Sequence, residues 1–127
     1  MKKTILLQCV KWSLKHNTPL KHSQFDCYKH HTFVIQKNQI VEWGQNKSGA
    51  PPNFYKPHQK IHSEYVAYKK ARGLLEKNKP FDIINVRLNK QGDLRTSKPC
   101  LCCCNFLKTM KCRNVYFSTG DNNFEKM

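Results

Sequence analysis

Carboxylates are scarce in this sequence. Its 127 residues carry 8 Asp and Glu against 23 Lys and Arg, a formal charge of +15 with the histidines neutral. Lysine supplies 19 of the cations, and the 11 asparagines outnumber all the carboxylates. An AT-rich coding sequence enriches Lys, Asn and Ile, but it does not deplete Asp and Glu, whose codons are not GC-rich. A chain so far from neutrality attracts polyanions at physiological salt, nucleic acid foremost.

Long apolar runs are missing too. None approaches the roughly 18 residues that a membrane-spanning helix needs, so no membrane span is expected. The opening Met1-Lys2-Lys3-Thr4-Ile5-Leu6-Leu7 imitates a secretory leader, but Gln8 and Lys11 cut its apolar stretch short, and it reads as mature protein. Internal repeats and low-complexity tracts are absent. Disorder is excluded by 14 aromatics spread along the chain, despite a mean hydropathy of −0.73. The length suits one domain, residues 1–127, with a single core.

Cysteine is abundant, yet a disulfide framework is excluded. There are seven, an odd number, and four crowd into Cys100, Cys102, Cys103 and Cys104, where neighbours cannot meet disulfide geometry. Clustered thiols without a signal peptide suggest a reducing, cytoplasmic setting and a metal site.

The hydrophobic pattern yields an α-β-β-α-β-α-β order. Residues 4–16 put Ile5, Leu6, Cys9, Val10 and Ser13 on one face of a helix that ends near Asn17. Residues 21–29 are polar and irregular. Residues 32–35 and 39–43 read as strands around a Lys37-Asn38 turn. From Asn46 to Lys60 a Pro- and Gly-bearing loop is expected. A second helix is expected over 63–76, with Ala67, Ala71, Leu74 and Leu75 inward, followed by a buried strand over 81–88. The stretch 94–96 returns briefly, 100–110 forms the third helix, 115–118 a strand and 123–125 a short last strand. Such an order implies an α/β fold, a mixed sheet of about five strands sandwiched by helices.

Two motifs carry chemistry, each at the start of an expected helix. His62-Ser63-Glu64 is weak alone, and Pro99-Cys100-Leu101-Cys102-Cys103 is moderate. Cys100 and Cys103 lie three apart at a helix N-terminus, where both sulfurs turn to one point and the dipole favours thiolate. With His62 they make three ligands for Zn²⁺, one ion per chain, and leave a fourth position for water. Glu64, beside that water but off the metal, suits a proton relay. The competing readings are a structural zinc knuckle completed by Cys112, or cysteines acting as small core hydrophobes. His16, His22, His30 and His31 have no comparable spacing and read as surface or core residues; Cys102 and Cys104 read as helix packing residues.

Together the motifs resemble those of the zinc-dependent nucleoside and nucleobase deaminase superfamily, whose signature is H-x-E followed by P-C-x-x-C. The resemblance extends over the element order from about residue 4 to 118, and Gly44-Gln45-Asn46 is similar to that superfamily's G-x-N. It implies a cytidine-deaminase-like α/β/α sandwich, with His62, Cys100 and Cys103 on zinc and Glu64 shuttling the proton. It also implies that Asn46 holds the sugar and that groups around Ser63 and Pro99 orient the base. The implied reaction is attack of water on C4 of cytosine, or C6 of adenine, with release of ammonia.

Branch markers differ from familiar members. Ser48 stands where free cytidine deaminases carry Glu, Cys103-Cys104-Asn105 replaces Cys-Arg-Gln, and Thr96-Ser97-Lys98-Pro99-Cys100 lacks the aromatic of the vertebrate polynucleotide enzymes. The short tail after Phe117 suits an antiparallel final strand. The loop from Asn46 to Lys60 offers Phe54 and Tyr55 for stacking and Lys47, Lys56, His58 and Lys60 for phosphate, while Arg95 and Lys98 approach from the other side. Packing of those aromatics onto the domain is the competing reading. The expected function is C-to-U deamination in single-stranded DNA or RNA, the charge tipping the choice. A free cytidine or dCMP deaminase, which can be an oligomer, and a non-catalytic zinc-stabilised nucleic-acid-binding module are the alternatives.

Overall fold

The computed structural model describes residues 1–19, 28–48 and 60–127. Its three helices are α1 (Lys3–Lys15), α2 (Ser63–Ala71) and α3 (Leu101–Thr109). The strands are β1 (His30–Gln36), β2 (Gln39–Gln45), β3 (Lys47–Ser48), β4 (Lys60–Ile61), β5 (Asp82–Leu88), β6 (Leu94–Arg95), β7 (Asn114–Ser118) and β8 (Phe124–Lys126). Six of them form one mixed sheet in the order β2-β1-β5-β7-β8, with β6 paired to β5, while β3 and β4 pair separately. Only β5 and β7 run parallel, joined through α3, and β8 is antiparallel to β7 as the short tail suggested. The sheet therefore has one strand more than expected, because Leu94–Arg95 pairs fully with Arg87–Leu88.

Alternation along the central strands builds two cores, one on each face. Phe33, Ile35, Ile84, Val86 and Leu88 meet Ile5 and Cys9 of α1. Val34 and Ile83 face the other way, toward Ala67 and Ala71 of α2 and Leu107 of α3. The result is the expected α/β/α sandwich. The apolar stripe of α1 buries Ile5, Cys9 and Ser13 as its 3.6-residue period requires. Burial pushes the Cys9 thiol up to about 12, so it behaves as a core hydrophobe.

Three expectations are corrected. The helix expected over 63–76 stops at Ala71, and Leu74 is 60% exposed rather than inward. Gly73 has nothing for a side chain to pack against, and the Gln36 side chain takes over the local hydrogen bonds. Its Oε1 accepts from Glu76 N at 2.8 Å and its Nε2 donates to the Glu76 and Lys79 carbonyls. The loop from Asn46 to Lys60 begins and ends as the β3–β4 pair, Lys47 opposite Ile61 and Ser48 opposite Lys60. The Lys37-Asn38 turn is present and tight, with φ of 53° and 58°, the double left-handed geometry that matches strand twist in two-residue hairpins. No helix among the described residues is long and apolar enough to cross a membrane.

Candidate metal centre

Both expected helix starts lie where the motifs put them. His62 is the N-cap residue of α2 and Cys100 that of α3, each with extended backbone, and Cys103 follows one turn into α3. The segment from Ser97 to Cys100 crosses the C-terminal ends of the parallel pair β5 and β7, anchored by Ser97 N donating to Ser118 O at 3.0 Å. Strand ends of parallel sheets are where open α/β folds gather ligands.

His62 Nδ1 lies 3.5 Å from Cys100 Sγ and 3.3 Å from Cys103 Sγ, and all three donor atoms fall within 4.8 Å of one another. Metal–sulfur and metal–nitrogen bonds typical of zinc, closed at the tetrahedral angle, separate the donors by about 3.6 Å. The donor spacing fits one tetrahedral ion. Among the described residues no fourth His, Cys, Asp or Glu joins the group. Cys112 does not complete it: nine residues beyond Cys103 and past the far end of α3, its Sγ donates to Asn114 O at 3.4 Å, and burial pushes the thiol up to about 12. Cys104 is also outside, its Sγ turned to Pro99 O, its thiol raised by burial and then by Cys100 and Glu64. Among the described residues the group therefore offers three protein ligands, and catalytic zinc sites are built on three.

Glu64 sits in the first turn of α2 and is only 5% exposed. Its carboxylate is held on both oxygens: Ser63 Oγ donates to Oε1 and Asn85 Nδ2 to Oε2, each at 3.1 Å. Thr32 Oγ1 lies 2.7 Å from both Ser63 Oγ and Asn85 Oδ1, and Asn85 Nδ2 also donates to Ser97 O at 3.2 Å. Thr32, Ser63, Asn85 and Ser97 are all at most 1% exposed. Such a network locks a carboxylate into one rotamer, and each oxygen keeps a lone pair for another partner.

A cavity of 90 Å³ opens beside it, lined by His30, Asn46, His62, Ser63 and Glu64. Asn46 is buried, and its Oδ1 accepts from His30 N at 2.9 Å, which fixes the amide at the cavity wall. Ser63 reaches the same wall with its hydroxyl committed to Glu64. Lys47 and Lys98 are exposed, and Arg95 turns back to its own strand, Nη1 donating to Leu94 O. Phe54, Tyr55, Lys56 and His58 lie outside the described residues. A larger cavity of 490 Å³ lies where α2 and α3 end and holds none of these groups.

Sequence reasoning passed over His30, Thr32, Asn85 and Ser97. Asn85 carried a signal, a lone amide between Ile83-Ile84 and Val86 in a strand buried on both faces, where a polar side chain must find partners. His30 carried none, because its place in the cavity depends on the pairing of β1 with β2.

The fold and the site define a class: an α/β/α domain whose two helix N-termini bring together a His/Cys/Cys group able to hold a metal ion, with a fixed buried carboxylate in the first turn of α2. Compared with models of known protein families and with curated protein sequences, the chain matches none. Its functional reading rests on these residues alone.

Proposed function

We propose that this protein is a zinc-dependent hydrolytic deaminase acting on cytosine, in single-stranded DNA or RNA. One observation carries the reading: a buried carboxylate, off the metal-binding trio yet clamped on both oxygens at the same cavity wall. A closed structural zinc site has no use for such a group. The motif resemblance and the basic charge support the choice of base and polymer.

His62, Cys100 and Cys103 would hold the ion, and zinc bound there would supply a water activated as a nucleophile near neutral pH. Glu64 would take a proton from the attacking water on its carboxylate and pass it to ring N3 as C4 is attacked. A second transfer through Glu64 protonates the departing amine, so that cytosine and water become uracil and ammonia. Asn85 and Ser63 keep the carboxylate aimed through both transfers. Asn46 and His30 form the wall against which the sugar is set.

Glu64→Gln is the direct test. The amide preserves both hydrogen bonds, with its oxygen facing Asn85 and its nitrogen facing Ser63, but it carries no transferable proton. The variant is expected to bind one zinc per chain and to lose ammonia release by at least about a thousandfold, at the upper side of general acid–base effects. Retained turnover, or loss of the metal, removes this role for Glu64. Incubation of the wild-type protein with cytidine, dCMP, single-stranded DNA and RNA, reading C-to-U conversion in each, identifies the substrate.

A further inference from the structure

The only two tryptophans of the chain, Trp12 and Trp43, meet in one cluster of rings. Trp12 of α1 stacks on His16 with centroids 4.8 Å apart and planes 25° apart, and His16 lies 4.9 Å from Trp43. Trp43 in turn stacks on buried His31 at 6.0 Å and 16°. Trp12 is 44% exposed at the outer end, while Trp43 and His16 are half-buried. The rings are fixed, not loose: His16 Nδ1 is 2.9 Å from Trp12 O, and Gln45 Nε2 donates to His16 O at 2.8 Å. Cations accompany them. Lys70 Nζ lies 5.6 Å from the Trp43 ring and donates to Trp43 O, exposed Lys11 and Lys15 share α1 with Trp12, and Lys29 acts electrostatically on His31. The neighbouring carboxylate of Glu42 accepts from the backbone N–H of Trp43.

The cluster is seated at the sheet end that carries the candidate cavity, on the other face. His31 and Gln45, on which it is seated, are the immediate strand neighbours of His30 and Asn46, which line the cavity. Successive residues of a strand face opposite sides of the sheet, so the ring cluster lies on the α1 face and the cavity on the α2 face, near the same ends of β1 and β2.

We infer that the Trp12–His16–Trp43 shelf is a stacking platform for a single-stranded polynucleotide, receiving an unpaired base outside the cavity while Lys15 and Lys70 take its phosphates. The inference deepens the deaminase reading and rests on it only for what occupies the cavity. A fixed, partly exposed indole flanked by lysines binds unpaired bases whatever their sequence, because every base has a π-face, and its preorganisation lowers the entropic cost. A mononucleotide in the cavity has no second base to reach the shelf.

Both tryptophans belong to the shelf, so intrinsic fluorescence reports on it directly. The probes are a pyrimidine single strand of about twelve nucleotides, as DNA and as RNA, with dCMP and heparin for comparison. Quenching is expected with either oligonucleotide and not with dCMP or heparin. Trp12→Ala is expected to weaken oligonucleotide binding about tenfold, Trp12→Phe to restore most of it, and both to melt as the wild type does. Lys15→Gln and Lys70→Gln are expected each to reduce the salt slope of binding by about one. Heparin binding as tightly as the oligonucleotides, with unquenched tryptophans, would mean charge attraction alone and overturn the shelf. So would equal affinities for wild type and Trp12→Ala. Because quenching needs no turnover, quenching without C-to-U conversion removes the deaminase reading and keeps the shelf. Conversion of dCMP with unquenched tryptophans does the reverse.

Discussion

A buried imidazole illustrates how much one residue takes from its surroundings here. His31 is fully buried, and its Nε2 has no hydrogen-bond partner among the described residues. Burial first, then the charges of His16, His30 and Lys29, lower its pKa from 6.5 to about 4. The folded state therefore holds neutral imidazole while the unfolded chain takes up a proton below about pH 6.5. Over the window from 6.5 down to 4 the unfolded state binds more protons, so stability falls as the pH falls, by up to about 3 kcal/mol in all. Chemical denaturation at pH 7.5 and pH 4.5 is expected to show this loss in the wild type. His31→Gln is expected to flatten the dependence, and an equal slope in the variant would assign it to other groups. The buried network of Thr32, Ser63, Asn85 and Ser97 around Glu64 is the contrasting case. Each polar atom is tolerated in the core because a neighbour satisfies it, and that satisfaction is what fixes the carboxylate.

At the scale of elements, one contact decides where the metal ligands stand. Gly44 of β2 lies under α2, and a Cβ added there would meet Ala67 N at 2.6 Å and Ala67 Cα at 2.9 Å. Those are backbone atoms and cannot swing aside. Gly44→Ala is therefore expected to lift α2 off the sheet, costing about 3 kcal/mol as overpacking does. It also shifts His62 and Glu64 with the helix. Thermal melting and zinc stoichiometry check both effects. A stable variant with full metal content would show that α2 has slack the packing does not suggest. Helix limits were legible in the sequence at the starts of α2 and α3, where His62 and Cys100 precede the apolar periodicity. The end of α2 was not, since Gln36, forty positions away from Glu76, replaces the helical hydrogen bonds there.

Over the whole molecule, a metal ion held by His62, Cys100 and Cys103 would tie the starts of α2 and α3 together. Binding to the folded state alone raises stability in proportion to the logarithm of ligand excess. A chelator such as phenanthroline is expected to lower the melting temperature by several degrees, and stoichiometric zinc to restore it. Cys103→Ser is expected to melt at the chelated protein's temperature and to ignore both additions. A melting temperature indifferent to chelator in the wild type would show that the trio does not bind zinc in solution.

The spacing of Cys100 and Cys103, the His62-Ser63-Glu64 triplet, the buried faces of α1 and β5 and the excess of positive charge are all written in local order. Each depends on a helical or strand period that acts within a few residues. Long-range adjacency is different. His62 Nδ1 reaches sulfurs 38 and 41 positions away, and Asn85 reaches Glu64 across 21, because β1 and β5 pair centrally and β5 and β7 run parallel. Strand order is a global solution to burying two apolar faces at once, and no local period encodes it. That packing alone set His30 and Asn46 at one cavity wall, clamped Glu64 with Asn85, and gathered both tryptophans on the opposite face of the sheet.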